Sequence, residues 1–345
     1  MLRTRQVIYR FALTASSERE TINHQPVANR EPSIQQIMST SGSEFDYIDW
    51  LRRRTPTDPR VLLGPGDDAA ALRLRPDVPC LVTTDMLMDG VCFQLGEAGP
   101  QAVGRKAMAV NLSDIAAMAG RPIAAVVSAA LPRQGGRDLA EKLYLGLREM
   151  ADDFQTAIVG GDTNSWDGPL VISVTVLGEA TGAGPVRRNG ARPGDWLLVT
   201  GPLGGSIRGK HLTFAPRVRE AMRLHEITHL HAMIDISDGL AADVNHLCVE
   251  SGCGVVLWAD RIPISEDAKA MADGKSPLDH ALTDGEDFEL VFALSENEGR
   301  RLLESQPIPG ITLAHIGEFV GQGLWIERHG NRRPLQPHGY EHKLN

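Results

Sequence analysis

The chain has 345 residues, of which 42% are hydrophobic and 23% charged, and its formal net charge is −9. The length and balance predict a folded protein with room for two domains. The acidic charge argues against nucleic acid or an anionic membrane as partners, because both usually bind a basic face. No stretch reaches the roughly 18 uninterrupted apolar residues of a membrane span.

The four cysteines, Cys80, Cys92, Cys248 and Cys253, contain no C-x-x-C pair. This spacing gives no support to a zinc site or a disulfide framework and favours buried free thiols. Reduced thiols, together with the lack of a convincing secretory signal, predict a cytoplasmic protein.

Residues 1–37 are polar and show no sustained periodicity, which predicts a disordered extension. Met38 follows and offers an alternative translation start. Ser43 is placed to cap a helix that begins near Glu44.

From Val61 onward, short apolar runs alternate with helical patterns. Glycine and proline accumulate at 181–195 and predict a boundary between a domain at 38–182 and a domain at 183–345. This order predicts an α/β chain in two parts. The predicted strands are 80–86, 124–131, 156–162, 170–180, 196–200, 231–236, 254–259, 287–294 and 311–320, and the predicted helices are 101–119, 137–153, 239–251 and 295–305.

Aspartates recur where strands are predicted to end beside glycine or a hydroxyl residue. Strand ends of this kind commonly carry ligand-binding groups in α/β proteins. Any one aspartate could be a simple helix cap, but four such segments favour a shared ligand. They contribute Asp67 and Asp68 in "GPGDDAA", Thr83, Thr84 and Asp85 in "LVTTDM", Asp162 in "AIVGGD", and Asp235, Ser237 and Asp238 in "MIDISDGL".

Asp114 lies within "AMAVNLSDIAAMAG", a segment that is apolar nearly all round and predicts a buried helix. It shares one stripe of that helix with Val103, Val110 and Ala117. An ionised carboxylate there is costly to desolvate unless it is paired or bound to a cation. The alternative to a bound cation is a buried salt bridge, with Lys106 as a candidate partner.

Carboxylate and hydroxyl oxygens without a histidine or cysteine set favour a hard cation such as Mg²⁺. Mg²⁺ often shares its coordination shell with substrate phosphates. The sequence therefore predicts a carboxylate cage that holds cations and, through them, a polyphosphate. The segment "GGSIRGKH" has P-loop spacing, but His211 stands where a P-loop needs Ser or Thr, which favours an ordinary glycine-rich turn.

Seven ordered blocks resemble those of thiamine-monophosphate kinases: "GPGDDAA", "LVTTDMLMDGV", "GRKAMAVNLSDIAAMAG", "IVGGDT", "RNGARPGD", "IDISDGLAAD" and "DGEDFEL". The resemblance runs from about residue 43 to the terminal "GYEH". It implies a two-domain α/β (α+β) fold like that of aminoimidazole-ribonucleotide synthetase. In that fold an N-terminal domain binds ATP and dimerises through a β-barrel, and a C-terminal α/β domain closes the cleft. The implied reaction is ATP-dependent phosphorylation of thiamine monophosphate to thiamine diphosphate, by direct transfer of the γ-phosphoryl group in a homodimer.

The resemblance also implies roles for individual residues. ATP would contact Gly161, Asp162, Arg188 and Ser237, and thiamine monophosphate would contact Cys92, Glu286 and Tyr340. Several Mg²⁺ ions would be held by Asp67, Asp68, Thr83, Thr84, Asp85, Asp114, Asp162, Asp235 and Asp238.

Two positions depart from the family pattern. Cys92 in "GVCF" stands where the family usually has histidine, and "DGED" places Asp284 where the family has glycine. Asp284 would either weaken binding of a phosphorylated substrate or recruit another cation. Two other functions stay open: a superfamily relative that activates a different substrate with ATP, and a non-catalytic nucleotide-binding paralogue.

Overall fold

The computed structural model describes residues 44–65 and 68–341. The predicted extension at 1–37, the predicted cap Ser43 and the predicted metal ligand Asp67 lie outside these residues. Within the described part, no helix has both the length and the apolar character needed to cross a bilayer.

The first half of the described chain is built on a four-stranded sheet in the order β3-β6-β4-β5. β4 and β5 are parallel, and the other pairs are antiparallel. Its elements are α1 (Glu44–Arg54), β1 (Val61–Leu63), β2 (Ala71–Leu72), β3 (Cys80–Met88), α2 (Leu95–Ala98), α3 (Pro100–Ala117), β4 (Arg121–Pro132), α4 (Gly136–Asp153), β5 (Ala157–Trp166) and β6 (Val171–Glu179).

Helices α3 and α4 pack almost backbone to backbone. A Cβ atom at Gly104 would lie 2.1 Å from the carbonyl oxygen of Leu143, and one at Gly146 would lie 1.8 Å from that of Gln101. Only glycine leaves room for this approach. The close contact helps to fix α3, whose side chains are buried nearly all round as the sequence predicts.

The second half forms a seven-stranded sheet in the order β13-β12-β9-β11-β7-β10-β8, antiparallel except for the β12–β9 pair. Its elements are β7 (Trp196–Val199), α5 (Lys210–Thr213), α6 (Val218–Ile227), β8 (Ala232–Asp235), α7 (Leu240–Ser251), β9 (Gly254–Trp258), α8 (Glu266–Ala270), α9 (Pro277–Thr283), β10 (Leu290–Leu294), α10 (Glu296–Ser305), β11 (Ala314–Val320), β12 (Leu324–Arg328) and β13 (Asn331–Pro334).

One apolar core joins the two halves. It contains Met108 and Leu112 of α3 together with Leu198 of β7 and Phe292 of β10. Helix α3 therefore lies between the two sheets, and the described residues from Glu44 onward form one compact unit.

The predicted α/β character and two-part organisation are confirmed, and every predicted helix and strand is present within a few residues. Two predicted strand ends are wrong. β3 continues to Met88 and β5 to Trp166, because β6 and β4 supply hydrogen-bonding partners along the whole length of each strand. Asp85 and Asp162 therefore lie within strands, whereas Asp235 is the last residue of β8, as predicted.

Candidate active site

A cavity of about 450 Å³ lies between the two halves of the described chain. Four aspartates predicted as metal ligands line it: Asp85, Asp114, Asp235 and Asp238. The three residues predicted to contact the substrate, Cys92, Glu286 and Tyr340, also line it. Ser237, which was predicted to bind ATP, lines it as well. The remaining lining residues are mostly apolar and include Met86, Val91, Val110, Ile207, Met271 and Phe288.

Side chains alternate between the two faces of β3, and Asp85 lies on the face that borders this cavity. Thr83 and Asp85 share the face of the strand that lies toward α3, and the Thr83 hydroxyl donates a hydrogen bond to Asp114. The intervening Thr84 lies on the opposite face, where its hydroxyl donates to the carbonyl of Val174 at 3.2 Å. The structure thus brings Thr83, but not the side chain of Thr84, to the carboxylates.

Asp235 reaches the cavity from the other half, at the end of β8. Its Oδ2 accepts a hydrogen bond from the hydroxyl of Ser113 at 2.6 Å. Ser113 precedes Asp114 on α3 and was missed as a site residue. The available signal was its position in an otherwise apolar helix, next to a buried aspartate.

Burial raises the pKa of three carboxyl groups of this cavity, and neighbouring carboxylates add to the rise in two of them. Burial, followed by the charges of Asp114 and Asp235, raises the pKa of Asp85 to about 7. Burial and the charge of Asp114 likewise raise the pKa of Asp235 to about 7. Burial also raises the pKa of Asp114, against the opposing effects of the Thr83 hydrogen bond and the positive charge of Arg188. Bound cations would relieve this repulsion, and a donor set made entirely of oxygen suits Mg²⁺.

A buried aspartate holds the loop that carries Ser237 and Asp238. Oδ2 of Asp243, in the first turn of α7, accepts hydrogen bonds from the backbone N–H groups of Ser237, Asp238 and Gly239 at 3.0–3.1 Å. Burial, with the charges of Asp235 and Asp238, raises the pKa of Asp243 to about 8. Sequence reasoning missed this residue, although it ends the quoted block "IDISDGLAAD".

The predicted substrate contacts come from three distant segments. The backbone N–H of Glu286 donates to the carbonyl of Ser237 at 2.8 Å, and that of Tyr340 donates to the carbonyl of Asp238 at 2.9 Å. Cys92 lines the wall contributed by the first half. The salt bridge considered between Lys106 and Asp114 is wrong, because the Lys106 ammonium lies 2.6 Å from Oε1 of Glu286.

Asp284, the departure from the family pattern, is held by several neighbours. Its Oδ2 lies 2.8 Å from Nδ1 of His280 and accepts from the backbone N–H of Gly205 at 3.0 Å, while Lys275 Nζ lies 3.3 Å from Oδ1. These contacts engage both carboxylate oxygens of Asp284, which also lines the first cavity.

The glycine-rich turn at 204–209 has its first two amides engaged by carboxylates. The N–H of Gly204 donates to Asp287 at 2.8 Å, and that of Gly205 donates to Asp284. Lys210, at the position of a P-loop lysine, instead pairs with Glu289 at 2.9 Å. The turn therefore packs against the acidic segment at 284–289, which agrees with the interpretation that it is not a phosphate loop.

Asp68, Gly161 and Asp162 line a second cavity of about 1140 Å³, which has no lining residue in common with the first. The sheet register places Gly161 in the same row as Asp85 and Asp162 in the same row as Met86. Neighbours along a strand face opposite sides, so Asp162 lies on the face of the sheet away from Asp85. Within this chain, the predicted cage is thus divided between two faces of one sheet.

Two family profiles match this chain. Residues 66–180 match the N-terminal domain of AIR synthase related protein, and residues 192–325 match its C-terminal domain. Among curated relatives, the thiamine-monophosphate kinase of Rhodopirellula baltica is 42% identical over 292 residues, which cover 82% of this chain and 91% of the relative. That of Aquifex aeolicus is 31% identical over 320 residues, with 87% and 97% covered.

Solved structures agree with these matches. Thiamine-monophosphate kinase from Stenotrophomonas maltophilia K279a has a TM-score of 0.71 and 34% identity, covering 84% of this chain and 97% of that one. AaThiL complexed with AMPPCP and TMP has a TM-score of 0.68 and 30% identity, covering 87% and 97%. E. coli HypE, a hydrogenase maturation protein, has a TM-score of 0.71 at 22% identity. The match covers 86% of this chain and 98% of that one, and at this identity it shows a shared fold alone.

The matches with the curated kinases extend over most of the chain and over most of each relative. The chain belongs to the thiamine-monophosphate kinase family.

Proposed function

We propose that this protein uses ATP to phosphorylate thiamine monophosphate to thiamine diphosphate by direct in-line transfer of the γ-phosphoryl group, with Mg²⁺ bound. The observation that carries the proposal is the meeting of Asp85, Asp114 and Asp235 in one cavity, each with a raised pKa. The family supports the choice of substrates, and AaThiL is a relative complexed with AMPPCP and TMP.

Asp85, Asp114, Asp235 and Asp238 would hold Mg²⁺ ions at the first cavity, with Thr83 beside them. When bound, such ions supply charge neutralisation of the phosphates, which is the main requirement of phosphoryl transfer. The family resemblance assigns the same role to Asp67, Asp68, Thr84 and Asp162.

The nucleotide contacts are proposed for Gly161, Arg188 and Ser237. A Cβ atom at Gly161 would lie 1.8 Å from the carbonyl oxygen of Val127, so glycine is required at that point of β5. Arg188 lies close enough for its positive charge to lower the pKa of both Asp114 and Asp235, which suits a guanidinium that contacts phosphate oxygens.

The acceptor would lie at the end of the first cavity formed by Cys92, Glu286 and Tyr340. Val91, Ile207 and Met271 add apolar surface there. An acceptor with aromatic rings and an anionic phosphate would match this division, with its rings on the apolar side and its phosphate toward the aspartates.

We also propose a cytoplasmic homodimer that pairs through β3, with domains at 38–182 and 183–345. β3 is an edge strand, and its outward face exposes Val82 (66%), Met86 and Met88. An apolar edge strand of this kind needs cover, and a second copy paired into a barrel would supply it. Val82→Lys should yield a monomer in light scattering, while Val249→Lys, at an equally exposed valine of α7, should not.

An assay of ADP release tests the proposed reaction. Purified protein with ATP and Mg²⁺ should release ADP with thiamine monophosphate, but not with thiamine or unrelated phosphate acceptors. ADP release with a different acceptor would favour a superfamily relative. Folded protein that binds ATP but gives no ADP with any acceptor would favour the non-catalytic paralogue.

A further inference from the structure

Lys106 is among the largest fully buried side chains of the described residues, and none of its side-chain surface is exposed. Its ammonium donates to the carbonyl oxygen of Cys92 at 2.7 Å and to Oε1 of Glu286 at 2.6 Å. These are two of the three segments predicted to contact the acceptor. One buried nitrogen therefore joins the acceptor end of the cavity from both halves of the chain.

A buried ammonium is costly unless its hydrogen bonds are made to a charged or strongly polar partner. Asp114, two turns further along α3, is engaged by Thr83, so Lys106 directs its charge to Glu286. The Glu286 side chain keeps 35% of its surface exposed and lines the cavity. Its carboxylate can thus contact a ligand on one side while Lys106 holds it on the other.

The backbone at Glu286 is also constrained. Its φ of 52° lies in the left-handed region, which non-glycine residues rarely adopt. Two contacts hold this conformation. The backbone N–H of Glu286 donates to the Ser237 carbonyl, and its carboxylate pairs with Lys106. Such strain persists only where the surroundings fix it.

We propose that Lys106 is a positioning residue for the acceptor. It holds the Glu286 carboxylate at the acceptor end of the cavity and keeps it from turning toward cations at the aspartates. It also sets the separation between Glu286 and the Cys92 segment. Because Lys106 is fully buried, it acts through these two segments rather than by touching the substrate. This inference rests on the proposed function.

The kinetic signature of this role is a change in KM for one substrate alone. Lys106→Met, which keeps the chain length and removes the charge, should raise KM for thiamine monophosphate about tenfold or more while KM for ATP changes less than about twofold. Lys106→Gln, which keeps a donor, should give an intermediate value and serves if the methionine variant does not fold. Lys269→Met, which removes an exposed lysine paired with Glu266, should leave both constants unchanged.

A double-mutant cycle with Glu286→Gln completes the test. If Lys106 acts through Glu286, adding Lys106→Met to the Glu286→Gln variant should raise KM for thiamine monophosphate less than about threefold. The inference would be overturned if Lys106→Met raised KM for thiamine monophosphate equally with Glu286 and with Gln at position 286. A parallel rise in KM for thiamine monophosphate and KM for ATP would also overturn it. So would wild-type kinetics in Lys106→Met. A wild-type protein inactive on thiamine monophosphate would overturn the proposed function and this inference together, whereas an active wild type with unaffected variants would overturn the inference alone.

Discussion

The hydroxyl of Ser113 donates to the carboxylate of Asp235 across the boundary between the two halves, at 2.6 Å. The bond ties the middle of α3 to the end of β8, where the seven-stranded sheet delivers its aspartate to the cavity. Both residues are buried, so the bond is shielded from water and its geometry fixes where Asp235 can meet a cation.

Ser113→Ala should lower both the turnover and the free energy of unfolding. Hydrogen bonds to charged groups contribute about 1.5–3 kcal/mol, and here the loss would leave a buried carboxylate with fewer donors. We expect a lower midpoint in urea unfolding and a higher Mg²⁺ concentration for half-maximal ADP release. Ser305→Ala, which removes an exposed hydroxyl bonded to its own helix, is the control. Unchanged Mg²⁺ dependence would argue against a role for Ser113 in placing Asp235.

Asp85→Asn should abolish ADP release while leaving the fold intact. The substitution removes one of three mutually repelling carboxylates, so the metal-free variant should unfold at a higher temperature than the metal-free wild type. Mg²⁺ should stabilise the wild type, since a ligand that binds only the folded state raises the midpoint, and should stabilise the variant much less. Thermal melts with EDTA and with Mg²⁺ would measure both effects. Wild-type turnover in the variant would exclude Asp85 as a required ligand.

Asp243→Ala should loosen the loop that carries Ser237 and Asp238. Removing the carboxylate frees three backbone N–H groups that it now holds. Hydrogen exchange at residues 237–239 should become faster, and turnover should fall. Asp267→Ala, at an exposed aspartate of α8, should change neither. Unaltered exchange at 237–239 would show that the loop is held by other contacts.

Because of His315, the free energy of unfolding should fall in mild acid. His315 stacks on Trp196 with ring centroids 3.8 Å apart, and burial, with the nearby charge of Arg261, lowers its pKa from 6.5 to about 4. The unfolded state binds a proton at His315 at higher pH than the folded state does. The stability that the neutral, buried His315 contributes is therefore lost as pH falls from about 6.5 toward 4.

Urea unfolding at pH 7.5 and pH 5 tests this effect. His315→Phe should lose less stability than the wild type over that interval, because the variant has no proton to bind at this position. His338→Gln, at an exposed histidine, should behave like the wild type. An equal loss in the wild type and His315→Phe would contradict the assignment.

Gly146→Ala tests the packing of α3 against α4. A methyl group there meets the carbonyl oxygen of Gln101, so the helices must separate. Overpacking of this kind typically costs about 1–3 kcal/mol, which would appear as a lower urea midpoint. Gly96→Ala, at a glycine with open space around it, should have little effect. A wild-type midpoint in Gly146→Ala would mean that α3 is not fixed by this contact.

The sequence predicted the aspartates of the first cavity because residue type and position carried the information. Asp114 stood out as a charge on an apolar helix, and Asp235 as an acid at the end of an apolar strand. The partners of these groups could not be found in the same way. Ser113 and Asp235 are separated by 122 positions, and Lys106 and Glu286 by 180. Such pairs depend on how the two sheets meet around α3, which local periodicity does not record.

Strand ends illustrate the same limit. The apolar run around Asp85 suggested a strand that stops there, but hydrogen bonding to β6 extends it to Met88. Pairing with a neighbouring strand outweighed the local change in polarity. The side chain of Thr84 then faces away from its neighbours simply because strands alternate.

Helix α3 carries Lys106, Ser113 and Asp114, and so supplies groups to the acceptor end and the cation end of one cavity. Its burial on nearly all sides and its close contact with α4 hold it in place. The distance between the two ends of the cavity is therefore set by the pitch of one packed helix rather than by flexible loops.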